Sequence, residues 1–150
     1  MEGHSFEGKK YWVIRIDTGE DVLISVKKFI KEKNIKQGLV VMGYGTFAKV
    51  GLHWVIHNQW PPGNHYDEWE GGIELMSMNG IIVDGEPHIH FTASTSAGAF
   101  GGHMEEGCIC YVLVEIGIVE LEGPEMKREF VDIARDTDGK PVKRPRLVFS

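Results

Sequence analysis

The sequence predicts an α+β fold, a mostly antiparallel β-sheet with one or two flanking helices. Two observations carry that expectation. Many apolar runs of strand length are separated by short clusters of Gly, Pro, Asn and Asp. Only one stretch, residues 21–33, spaces its apolar residues as a helix does. Many strands joined by short turns, with one good helix, fit this class. The 150 residues are most simply one domain, 1–150, long enough to bury a core.

Taken in order, residues 1–9 read as a mobile lead-in, and Tyr11–Ile16 as a strand. Asp17–Asp21 makes a turn, with Thr18 as N-cap and Asp21 three residues on in capping-box position. Val22, Leu23, Val26, Phe29 and Ile30 form the buried stripe of the helix, four lysines lie mostly on the other side, and Asn34 is the C-cap. Residues 35–56 form a long β region punctuated by Gly43 and Gly45, glycines that mark a bulge or the close approach of another backbone. His53 and His57 fall on one face of it; they could join a metal site, but solvent is their expected surroundings. The segment 58–69, with Pro61, Pro62, Trp60, Tyr66 and Trp69, reads as an aromatic loop that covers a pocket or a subunit interface. Ile73–Val83 is strand, with a kink at Asn79-Gly80, and Asp84-Gly85 is a tight turn into a hairpin. Cys108–Leu121 is the longest strand signal and belongs near the sheet centre. Residues 125–135 give a mixed helix and strand signal, 136–139 a turn, and 140–150 a locally basic tail.

The net charge of −6 excludes a protein whose whole surface traps nucleic acid, which leaves only a local patch such as the tail. No apolar run reaches the ~18–20 residues of a membrane span, and Met-Glu-Gly-His-Ser lacks a signal-peptide core. The expected setting is cytoplasmic, with no membrane partner. Cys108 and Cys110 share one strand face, are poorly placed for a disulfide, and read as small buried hydrophobes.

The chemistry concentrates in His88-Ile89-His90 and in His103, which follows the glycine-rich stretch 98–102. On a strand, side chains at i and i+2 share a face about 6.5–7 Å apart. His88 and His90 therefore point the same way, and a returning glycine-rich loop can bring His103 onto a neighbouring strand. Three neutral imidazoles with one open position suit zinc, or another divalent transition metal with the same ligand preference.

Five stretches of residues carry a family resemblance. Arg15–Asp21 is followed by Gly43-Tyr44-Gly45 and then by Glu70–Gly80. Gly85-Glu86-Pro87-His88-Ile89-His90 and Gly101-Gly102-His103-Met104 complete the pattern. Over about 11–121 the chain resembles the plants-and-prokaryotes-conserved (PPC or PCC) domain. The resemblance implies an antiparallel sheet with flanking helices, a homotrimer, a metal at the three histidines as in some prokaryotic members, and a fold similar to that of acetolactate decarboxylase. It also brings a DNA-binding label, which in plant members goes with an AT-hook. Lys143-Arg144-Pro145-Arg146 is the nearest approach to that hook and lacks its glycine.

The reading is therefore a metal-binding, trimeric PPC module, acting through partners or a small-molecule ligand. The alternative is a zinc-dependent lyase or hydrolase acting on a small carbonyl or anionic substrate. In that case Glu86, Glu105 or Glu106 would serve as acid or base, and Arg15 would hold an anionic substrate.

Overall fold

Strand β1 (Glu7–Ile16) leads into helix α1 (Val22–Lys33). The long strands β2 (Gln37–Val55) and β3 (Asn64–Val83) follow, and then β4 (Glu86–Thr95), β5 (Gly98–Met104) and β6 (Ile109–Glu122). The chain ends with β7 (Met126–Arg135) and β8 (Pro141–Phe149). These elements come from a computed structural model that describes residues 1–150. The six-stranded sheet has the order β1-β6-β2-β3-β4-β5, and β5 returns to pair with the far end of β2. All its pairings are antiparallel, and β7 and β8 make a separate antiparallel pair. The expected antiparallel sheet is found, with a single helix beside it.

The helix packs because Val22, Leu23, Val26 and Ile30 form one apolar stripe, all of them buried. Its N-cap is Asp21, not Thr18. Asp21 Oδ1 accepts from the Ile24 N–H at 3.0 Å, and Oδ2 accepts from the Gly107 N–H at 2.5 Å. Thr18 instead donates its hydroxyl to the Val112 carbonyl at 3.2 Å. A tertiary partner thus decided which residue caps. Asp21→Ala should lose about 1–2 kcal/mol in urea denaturation, since a helix cap and a loop contact go together. A loss no larger than that of an exposed-lysine control such as Lys28→Ala would contradict this role. At the other end Asn34 takes the expected left-handed conformation, φ 53°, and its N–H reaches the carbonyls of Ile30 and Lys31.

Asp84 and Gly85 both have positive φ, 51° and 81°, as a two-residue hairpin turn requires. This joins β3 to β4 as expected. Several boundaries differ from the sequence reading. Residues 7–10 are strand, because β6 extends far enough to pair with Glu7 and Gly8. Only the proline-bearing part of 58–69 is loop. Asn64 to Trp69 pairs with Val55 to Val50, a partnership set by the other strand. Asn79-Gly80 does not kink; both pair with β4, and the irregularity falls between Leu75 and Ser77. The 14 residues of β6 are exceeded by the 19 of β2 and 20 of β3, though β6 does lie inside the sheet. Residues 126–135 are strand, and the basic tail is their partner β8, not a free end.

One face of the sheet, with α1, encloses the core, in which Phe47 and Phe91 meet edge to face at 5.8 Å. Both cysteines are free and buried, as expected of small hydrophobes. Burial pushes the Cys108 thiol up to about 12. Large apolar side chains on the other parity of β1 and β2 stay exposed, among them Tyr11, Val13, Val41, Met42 and Tyr44. No helix is long and apolar enough to cross a membrane.

Candidate metal centre

The histidine site is built by strand register. His90 on β4 lies directly opposite His103 on β5, and His103 lies opposite His53 at the end of β2. Directly opposed residues share a sheet face, so three strands place three imidazoles in one transverse row. His88 joins from two residues before His90 on the same face. The glycines between β4 and the end of β5 make this possible. A side chain at Gly102 would press on the His53 carbonyl at 2.7 Å, where β5 crosses to β2.

The rings of the three histidines expected from the sequence lie near one another on that face. Nε2 of His88 lies 3.2 Å from Nε2 of His90, and their rings stack at 5.2 Å. The His103 ring stands edge-on to both, at 4.6 Å from His88 and 5.5 Å from His90. Burial holds His88 down at about 4, helped by His103, Arg128, His90 and His53. Burial also lowers His90 and His103, with His53 as the next cause for each. Neutral imidazoles at neutral pH are the form that binds metals.

A carboxylate stands behind the row. Glu105 Oε1 accepts from His53 Nδ1 at 2.5 Å and lies 3.2 Å from His103 Nδ1. The second contact is poorly aligned, and His103 Nδ1 is a buried nitrogen with no good hydrogen bond. Donor atoms of His53, His103 and Glu105 fall within 4.8 Å of one another. His53 was expected to face solvent; instead its ring stacks on His103 at 4.4 Å and packs against Tyr66 at 4.9 Å. The sequence offers it only as a lesser candidate for a metal site, because its neighbour in space is fifty residues away in the chain. His57 remains exposed.

The other residues considered for chemistry lie elsewhere. Arg15, on the edge strand β1, is held by Asp17 at 2.8 Å. Glu106 is exposed and paired with Lys27 at 2.8 Å. Glu86 borders a separate cavity beside Lys28 and Lys31 of the helix. Of the four, Glu105 alone touches the imidazoles.

The donor set suits a divalent transition ion. Two nitrogens bound to one tetrahedral zinc at ~2.0–2.1 Å sit about 3.3 Å apart, close to the observed His88–His90 spacing. A carboxylate on the outer nitrogen of a metal-binding histidine is the usual support for such a ring.

The pH response of the metal-free protein follows from His88. Unfolded, its ring takes up a proton as pH falls through 6.5; folded, it does so only near 4. Between these values the unfolded chain binds the extra proton. The contribution of neutral His88 is therefore complete above pH 6.5 and is lost as pH falls toward 4. Urea midpoints of the chelator-treated protein should drop across that window, with a shallower slope for His88→Gln. Equal slopes for the two proteins would contradict it.

The family model described as the Plants and Prokaryotes Conserved (PCC) domain matches residues 3–122. The bifunctional protein GlmU of Synechococcus sp. (strain JA-2-3B'a(2-13)) is 23% identical over 119 residues, 79% of this chain. The match spans only 18% of that relative's length. A Pyrococcus horikoshii structure described as a plant- and prokaryote-conserved protein is 26% identical, with a TM-score of 0.70 over 96% of this chain and 97% of that one. A metal-containing protein of Archaeoglobus fulgidus is 22% identical, with a TM-score of 0.70 over 95% and 97%. A Bacteroides thetaiotaomicron chain with a provisional DNA-binding label gives 20% and 0.68 over 93% and 96%. Acetolactate decarboxylase of Bacillus subtilis shares the fold more loosely, at 16% identity and a TM-score of 0.52 over 79% of this chain and 54% of that one.

Proposed function

Given that this chain belongs to the Plants and Prokaryotes Conserved domain family, we propose that it is a metal-binding module that works as a homotrimer. His88, His90 and His103 bind the ion, which is zinc or another divalent transition metal. The observation that carries this is the convergence of three neutral imidazoles from two strands, with Glu105 behind one of them. The metal-containing relative from Archaeoglobus fulgidus supports it.

Self-association is supported by the uncovered apolar face. Tyr11 is 78% exposed and Val13 81%, while on β2 Val41, Met42 and Tyr44 stand on exposed positions. Clusters of this kind mark protein contact surfaces. The face also bears the histidines, since His88 pairs with Ile81 and Ile81 with Leu39, which is itself part-exposed. We assign residues 1–150 to one domain. The β7–β8 pair lies outside the family match, yet Met126 and Val142 are buried and the Met126 N–H reaches Gln37 Oε1 at 3.1 Å. The free, buried cysteines are consistent with a cytoplasmic setting.

A second reading, a zinc-dependent lyase or hydrolase on a small carbonyl or anionic substrate, draws on Glu105. A carboxylate beside the ligands can take or return a proton there. A bound ion would supply polarisation of a carbonyl or activation of water. That role needs an open coordination position. DNA contact through β8 has less support, because Lys143 is 3.9 Å from Asp132 and Arg146 is 3.8 Å from Glu2.

Metal analysis of the purified protein, with sedimentation to give its mass, tests the proposal. One equivalent of metal per chain in wild type, its loss in His88→Ala and His103→Ala, and a trimer mass are expected. A monomer carrying no metal would refute it.

A further inference from the structure

His53 lies in the same transverse row as the proposed ligands, directly opposite His103. Its Nδ1 and that of His103 both meet one oxygen, Oε1 of Glu105, at 2.5 and 3.2 Å. The two rings are stacked at 4.4 Å with only 29° between their planes. The carboxylate oxygen lies on the Nδ1 side of both rings, so the Nε2 edge of each is turned away from it. No hydrogen bond engages His53 Nε2, whereas its Nδ1 is committed to Glu105. Tyr66 packs against the ring and limits its rotation.

We propose that His53 is a fourth imidazole donor to the same ion, and that Glu105 is the positioning residue that aims both His53 and His103. The proposal rests on the metal reading above and decides its character. With four protein nitrogens the coordination sphere of a tetrahedral ion is full and has no place for water or substrate. The ion then ties β2 to β4 and β5 where the sheet curls back on itself, as a structural clamp. Glu105 engages Nδ1 of His53 and so leaves that ring's Nε2 free to bind.

Cobalt(II) in place of the native ion provides the test, because its visible spectrum reports ligand number and exchange. The probe is azide, which binds a tetrahedral ion where a water can leave. In wild type the cobalt spectrum is expected to stay unchanged as azide is added. His53→Ala should still take up cobalt, more weakly than by the roughly 10–100-fold that follows loss of an outer-sphere partner, and its spectrum should now move with azide. Glu105→Gln should weaken binding within that ~10–100-fold range, without an azide response. An azide-sensitive wild type, or a His53→Ala variant with wild-type cobalt affinity, overturns the fourth-donor assignment while leaving the three-histidine site standing. Failure of wild type to bind cobalt or zinc at all removes the metal reading itself. The wild-type azide titration needs no variant, so a folding defect in either substitution does not blunt the test.

Discussion

Gly45→Ala is expected to destabilise the protein by about 2–6 kcal/mol, enough to remove much of the ~5–15 kcal/mol typical of a domain. Gly45 has φ +142°, a conformation that L side chains rarely adopt. An added Cβ would also meet the Leu113 carbonyl oxygen and come within 2.8 Å of Val114 Cα, both backbone atoms of β6. The pairing of β2 with β6 shifts register between Gly45 and Phe47, so the glycine sits at a bulge. Neither neighbour can give way without disturbing the ladder, and Phe47, two residues on, is fully buried. Gly72→Ala on β3 is the matched control, because a Cβ there meets nothing within 4 Å. Urea denaturation of the two variants decides the matter. If both unfold at the same urea concentration, the bulge does not require a glycine at position 45.

The second large effect concerns metal. A ligand that binds only the folded state adds about 2.7 kcal/mol of stability at one hundred times its Kd. For a chain of 150 residues, at ~2–4 °C per kcal/mol, this raises Tm by about 5–11 °C. Zinc added to chelator-treated protein should give that rise, and chelator should reverse it. His103→Ala should abolish the shift, because that ring stands between the His88–His90 pair and Glu105. A comparable rise in His103→Ala would place the ion elsewhere.

These effects were not equally legible beforehand. Gly43 and Gly45 stand out in an apolar strand, so a bulge or close approach could be expected from composition alone. The partner that presses on each could not. For Gly43 it is the Met78 side chain, and for Gly45 the β6 backbone. The cap at Asp21 and the extension of β3 to Asn64 were missed for a related reason. Each depends on a group far along the chain, Gly107 in one case and the end of β2 in the other.

The candidate site divides in the same way. His88 and His90 share a face because strand geometry has a period of two, which any reader of the sequence can apply. The turn at Asp84-Gly85 and the glycines before His103 are local signals too. Together they give the hairpins, the class of fold and the three imidazoles proposed as ligands. His53 and Glu105 could be named from the sequence but not placed; their position beside His103 depends on β5 crossing back to the end of β2. Local periodicity fixes which way a side chain points from its own strand. Which strands lie side by side, and in what register, is settled by packing of the whole sheet around one core.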